Sequence, residues 1–576
     1  MASALNNPPQ EGRDGSSPTE GPHHPSSSHY LTPEQDENIT DVPADFRPTT
    51  RFWLAVMTLA VLTLMVALDA TIISVALPKI AMKLKGTGIQ AFWAGTSFLL
   101  TATVFQPSYA SFSHIFGRKP LILLAITFFL AGSLIGGLAN DFTLLLIGRS
   151  LQGVGGGGIT ALTEIIITDL VPLRLRGQWF GIISAMWSIG SVSGPIIGGA
   201  FSQNVSWRWI FYLNLPFIGV GYVMVPLFLR LNFLPSSMAS KLRRVDYVGT
   251  VVFVGSTTSF LIPVTWGGVM YNWSSWRTLV PLTIGVAGLA VFVLYETYLA
   301  VEPLIRLSIF QSRTASIAYA TNVLHGMILW CVLYYLPLYF EAVKGYTPIV
   351  AGLALFPSSF TVAPTAVVIG LLITWTGKYR WSIILGWTLT TLGIGLLYLF
   401  DVDTSTVQWV FIMLVSGVGM GMLFPAMQSA LQGASTNKDL AFAVAMFSFF
   451  RSFGNTLGVA IGGSIFQNEM RKRLLASPRW ADQAVMLAKD SAALVQTIKM
   501  MPAGTDKEDL QVAYAQSFRA IAVVLCALAG VSLILSLFIK SYDLNRALET
   551  EQGFMNEKNS KATAAEERRP EQKSSG

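Results

Sequence analysis

Asp69, Arg149, His325 and Arg451 are among the ionisable side chains that stand inside long apolar runs of the sequence. A charge in a hydrocarbon layer costs on the order of 3 kcal/mol on insertion scales, so each of these needs a partner or a use. No nucleophile, base and orienting group fall together in an identifiable constellation, and no Gly-x-x-x-x-Gly-Lys-Ser/Thr phosphate loop occurs. The chemistry on offer is the making and breaking of ion pairs and the uptake and release of protons. An enzyme is not expected, nor a cofactor or a metal site.

At 1.5 Å per helical residue, Asp69 lies about 24 Å from one end of its apolar stretch, and Arg149 about 10 Å from the opposite end of its own. In a layer roughly 30 Å thick these depths agree, so the two are expected to pair. The pair is either structural or a proton site, in which a proton at Asp69 neutralises it and releases Arg149. His325 is either a neutral hydrogen-bonded side chain or a substrate or proton contact, and Arg451 is either a substrate contact or a structural cation. Glu341, near a stretch end, is expected to be solvated. Gly190, Gly194 and Gly198 recur every four residues around Pro195 and Gly199. Glycine costs a helix roughly 1 kcal/mol, so the smooth face must serve close helix packing, or a seal that slides. Pro195 bends that face.

The elements that would position these residues follow from composition. Of 576 residues, 52% are hydrophobic and 12% charged, and the mean hydropathy is +0.53, too apolar for a soluble core. Apolar stretches of spanning length run over 52–77, 92–112, 120–138, 142–170, 180–202, 209–229, 247–265, 279–298, 316–340, 349–374, 381–400, 407–431, 441–466 and 518–539. The fold class is therefore all-α and polytopic, with about fourteen transmembrane helices. An even number puts both chain ends on one side. With that side cytoplasmic, the inner loops hold roughly twice as many bases as the short outer loops, among them Arg118, Lys119, Arg174, Arg176, Arg243 and Arg244. The charge of +7 reflects this bias, and nucleic acid is not expected as a partner. Asn204 and Asn272 then head outer sequons open to glycosylation, whereas Asn38 lies inside.

Residues 1–51 and 541–576 read as polar cytoplasmic tails, and His23, His24 and His29 as incidental. Cys331 and Cys526 lie in apolar runs and indicate no disulfide framework. Gly117-Arg118-Lys119 and Gly153-Val-Gly-Gly-Gly157 recur as Gly377-Lys378-Tyr-Arg380 and Gly417-Val-Gly-Met-Gly421, about 260 residues on. Two related six-helix bundles are expected, at 52–230 and 316–540, with two extra helices in 231–315 and an outer loop at 467–517.

Gly190-x-x-x-Gly194-Pro195-x-x-Gly198-Gly199 resembles the fifth-helix signature of drug:proton antiporters in the major facilitator superfamily. The run Leu68-Asp69-Ala-Thr-Ile-Ile-Ser-Val-Ala-Leu-Pro78 resembles the first-helix signature of its fourteen-helix branch. Gly117-Arg118-Lys119-Pro120 is similar to the superfamily loop between helices 2 and 3, and Leu146 to Gly153, with Arg149 and Gln152, to the fourth-helix signature. Trp207-Arg208-Trp-Ile-Phe-Tyr-Leu-Asn214-Leu-Pro216 and Phe450-Arg451-Ser-Phe-Gly454-Asn455-Thr-Leu-Gly458 resemble the fungal members. The resemblance covers about 52–539 and implies export, with Arg149 in proton coupling. His114 stands where the loop signature usually has an acid, three places before Gly117, so Arg118 is expected to turn to Asp169 or Glu164 instead.

The expectation is a monomeric, proton-driven exporter of an amphipathic small molecule, a drug, toxin or secondary metabolite, in the plasma membrane or, as an alternative, a vacuolar membrane. A same-fold carrier for amino acids or iron chelates, and a membrane sensor that moves nothing, are the rival expectations.

Overall fold

A computed structural model describes residues 46, 48–86, 88–231, 237–268, 270–489 and 491–545, all within one compact unit. His23, His24, His29, Asn38 and nearly all of the expected tails lie outside the described residues. Among the described residues, fourteen long helices follow in order: α1 (Thr50–Lys83), α2 (Gly88–Phe116), α3 (Arg118–Leu138), α4 (Phe142–Leu170), α5 (Arg176–Asn204), α6 (Asn214–Phe228), α7 (Tyr247–Trp266), α8 (Trp276–Tyr298), α9 (Arg313–Ala342), α10 (Phe356–Thr376), α11 (Arg380–Leu396), α12 (Thr406–Ala434), α13 (Leu440–Ala476) and α14 (Thr505–Ser536). Short helices Trp209–Tyr212 and Pro348–Ala354 lead into α6 and α10. Each coincides with one of the fourteen apolar stretches. Among the described residues, twelve spans are both long and apolar enough to cross a membrane. The remaining two, α2 and α4, are 29 residues long but less apolar, because they carry Gln106, His114, Arg149 and Gln152.

Local sequence sets the ends. Asp141 caps α4 by accepting from Leu144 N (2.8 Å), Asp246 caps α7 through Gly249 N (2.8 Å), and Ser405 with Gln408 forms a reciprocal capping box on α12. Gly117, at φ 94°, breaks the chain between α2 and α3, and Gly377, at φ 66°, ends α10; both conformations favour glycine.

Helix pairing repeats between the two parts of the chain. In the first, α1 packs on α5 and α6, and α4 on α2 and α3; in the second, α9 packs on α13 and α14, and α12 on α10 and α11. The contacts between the parts repeat as well, α5 on α10 matching α13 on α2, and α4 on α13 matching α12 on α5. Helices α7 and α8 pair with each other, and α7 rests against α2 and α13. Arg51 Nε donates to the Phe228 carbonyl (3.4 Å) and Arg174 Nη1 to Asn545 Oδ1 (2.9 Å). Both described ends therefore meet the same face, called here the termini side.

The outer loop expected at 467–517 is mostly helix. Apolarity ends near Phe466, but α13 continues through the charged Arg471, Lys472 and Arg473 to Ala476, and α14 begins at Thr505. The helices overrun the apolar window because backbone hydrogen bonding does not stop where the membrane does. Glu341 also departs from expectation: it is buried and pairs with Lys499 of that segment (2.5 Å).

Candidate functional site: two charged layers and a central cavity

Asp69 and Arg149 meet deep in the first bundle, both fully buried, with Arg149 Nη1 donating to Asp69 Oδ2 at 2.5 Å. Asp69 Oδ1 also accepts from Gln152 Nε2 (2.9 Å) and Asn214 Nδ2 (2.8 Å), and both of those amides donate to Ser133 Oγ. Arg149 Nε donates to the Ala94 carbonyl (3.0 Å), and its guanidinium lies over the Phe98 ring at 4.5 Å. Its Nη2 is buried without a hydrogen-bond partner. Residues of α1, α2, α3, α4 and α6 thus share one charged pair. Two opposite charges close together replace part of the water each has lost, and the surrounding amides satisfy the carboxylate's remaining lone pairs. Asn214 owes its place to the run that carries it. Arg208 ties that run to the end of α3 through the Ala139 carbonyl (2.8 Å), which brings Asn214 over Asp69.

On the termini side, Arg118 Nε donates to Asp169 Oδ2 (3.0 Å) and Nη1 to Ser113 Oγ (3.1 Å). Of the two acids considered for Arg118, the structure selects Asp169. Lys119 Nζ donates to the Pro226 carbonyl (3.0 Å), and His114 meets Phe442 of α13 edge-on at 5.6 Å, across the bundles. Glu164 turns to the other bundle, where Gln428 Nε2 donates to it (3.0 Å); Gln432 Nε2 donates to Gln428 Oε1 (3.2 Å), and Arg176 Nη1 to Gln432 Oε1 (2.9 Å). This chain from α4 through α12 to α5 escaped the sequence reading. Its signal was present: Glu164 and Thr168 stand 264 residues before Gln428 and Gln432, four apart in each case.

The spaced glycines of α5 face α1 within their own bundle. A Cβ at Gly190, Gly194 or Gly198 would come within 3.0 Å of a backbone oxygen of α1, at Leu64, Leu68 or Ile72. They are a seat for close packing, so the sliding alternative does not apply to these three. Pro195 and Gly199 look the other way, toward Gly352 and Ile349 of the second bundle. Nearer the termini side, α5 crosses α10 at Gly177 and Gly370, where a Cβ on Gly370 would sit 2.2 Å from the Gly177 carbonyl oxygen. The two bundles therefore touch at both ends of this seam.

Between them is a cavity of about 30 Å³, room for water, lined by residues of both bundles including Phe98, Gln106, Trp187, Trp330, Arg451 and Asn455. Arg451 belongs to this lining. His325 does not: α9 turns it into its own bundle, where it is buried and edge-on to Trp387 at 6.3 Å, and so it is no cavity residue. Asn204 and Asn272 are both exposed on the side opposite the termini. Outside the spans, burial holds the Lys344 ammonium below the usual lysine range while its Nζ donates to the carbonyls of Val402 and Thr404.

Two repeated helix bundles around a central cavity define the class as a membrane solute carrier. The crystal structure of the human organic anion transporter MFSD10 (TETRAN) shares this fold, with TM-score 0.54 and 12% identity over 84% of this chain and 98% of that one. Residues 59–459 match the Major Facilitator Superfamily model, and the chain belongs to that family. It is 55% identical over 524 residues to MFS transporter L2 of Phoma sp., covering 91% of this chain and 88% of that protein. It is 36% identical to Efflux pump FUS6 of Gibberella moniliformis, covering 93% and 96% of the two chains. The Acurin A biosynthesis cluster MFS-type transporter of Aspergillus aculeatus is 38% identical, over 87% and 92%.

Proposed function

We propose that the chain exports an amphipathic small molecule in exchange for protons, by alternating access between the two bundles, with both termini cytoplasmic. Export is supported by relatives that are named efflux pumps and secondary-metabolite cluster transporters. The observation that carries proton coupling is the buried Asp69–Arg149 pair. In the closed form every hydrogen bond at Asp69 is donated to it. A proton there supplies a donor where Arg149 Nη1 now points, so the pair must loosen and Arg149 must find another acceptor. That changes the relative stability of the packings of five helices, and a proton thereby biases one state over another. The Gly177–Gly370 crossing and the Glu164–Gln428 link hold the bundles together on the termini side, while Pro195 and Gly199 meet the second bundle on the other.

A panel of toxic amphipathic compounds, applied to cells with and without the gene, selects a solute. Inside-out vesicles with an acidified lumen should then accumulate that solute, and a protonophore should abolish the accumulation. Depletion of preloaded vesicles under the same gradient would point to an uptake carrier.

A further inference from the structure

Arg118, Arg149 and Arg176, the other arginines in the core of the bundles, all have their guanidinium hydrogen-bonded to oxygens. Arg451 differs. Among the described residues its guanidinium makes no ion pair and no hydrogen bond, and lies over the ring of Phe424, 4.5 Å from its centroid, and over that of Trp187, 5.6 Å. Glu164, the acid whose charge acts on it, is committed to Gln428. Two aromatic rings within cation–π reach hold the guanidinium without supplying its N–H groups an acceptor, and Arg451 lines the central cavity. A guanidinium so presented matches one ligand chemistry best: a carboxylate, accepting two parallel N–H bonds. Elsewhere in the lining, Phe98, Leu99 and Trp330 offer apolar and aromatic surface beside polar groups such as Gln106 and Asn455.

We propose that Arg451 is the anchor for the transported solute, and that the solute is an amphipathic organic anion carrying a carboxylate, whose apolar body lies against Trp330 and Phe98. This rests on the cavity being the solute site of the proposed exporter. The guanidinium is held by ring contacts and by no acceptor, so the acid finds its partner without first freeing Arg451 from another one. The closed form has space only for water, and the ligand enters a form in which the bundles have parted.

The test is equilibrium binding to the full chain in lipid nanodiscs, with three probes: 1-pyrenebutyrate, its neutral analogue 1-pyrenebutanol, and a pyrenebutyl-ammonium cation. Binding is read as saturable energy transfer from tryptophan after subtraction of empty discs. The acid should bind at least about tenfold tighter than the alcohol, as a charged hydrogen bond implies, and the cation more weakly than either. Arg451→Gln should bring the acid to the level of the alcohol. Arg451→Lys, which keeps charge but loses the fork, should retain part of the preference and decides the matter should the glutamine variant not fold. Equal affinity of wild type for acid and alcohol, a preserved preference in Arg451→Gln, or no saturable binding of any probe would overturn the proposal. No gradient is applied, so loss of proton coupling leaves this measurement intact. A lack of charge preference, in turn, leaves gradient-driven export intact.

Discussion

At the scale of single residues, the pair in the first bundle serves both stability and the proposed coupling, and substitution separates the two. Asp69→Asn keeps the shape but leaves Arg149 a buried cation without a counterion, which costs about 3–5 kcal/mol. Removing both charges in Asp69→Asn with Arg149→Gln should cost less than the sum of the single changes, measured as thermal unfolding of purified protein. Strict additivity would show that the two do not interact. The partnership was legible because two scarce charges stood at matching depths. Ser133 and Asn214 were not, since hydroxyls and amides in apolar helices commonly bond their own backbone, as Thr63 Oγ1 does to the Leu59 carbonyl (2.9 Å). Only the approach of α3 and α6 turns them toward Asp69. Arg118 had two acids in reach along α4, and the helix face chose Asp169.

At the scale of elements, the glycine signature divides by face. A Cβ at Gly198 would stand 2.2 Å from the Ile72 carbonyl oxygen, backbone that cannot swing aside; at Gly199 it meets the Ile349 Cγ1 at 3.2 Å, the movable end of a side chain. Gly198→Ala should therefore lower thermal stability by about 1–3 kcal/mol, whereas Gly199→Ala should fold normally and alter transport rate. Equal loss of stability in both would contradict this division. Gly454, Gly458 and Gly462 of α13 repeat Gly190, Gly194 and Gly198 at an offset of 264 residues and seat α13 on α9. Gly458→Ala, 2.3 Å from the Met327 carbonyl oxygen, should behave as Gly198→Ala does. The repeat was visible in the sequence, but without Pro195 the second copy lacks the feature that draws attention to the first. Helix number was legible from apolarity alone, and helix length was not, because α13 runs past the apolar window.

At the scale of the whole molecule, the two bundles were legible from a pair of recurring motifs, while the way they meet was not. The contact of Gly177 with Gly370 joins residues far apart in the chain, and nothing local marks it. On the side away from the termini, a Cβ on Gly352 would lie 3.5 Å from the Pro195 Cβ, within the range a disulfide bridges. Pro195→Cys with Gly352→Cys should cross-link under oxidation and stop transport, and a reductant should restore it. Undiminished transport by the cross-linked protein would mean that this seam does not open. The central claim, a solute moved outward by a proton moved inward through Asp69, is tested most directly in proteoliposomes holding the solute chosen by the growth screen. An imposed pH difference should drive that solute against its gradient in wild type, with protons moving the opposite way, and should drive nothing in a folded Asp69→Asn variant that still equilibrates the solute downhill. Uphill transport by Asp69→Asn equal to wild type would contradict it.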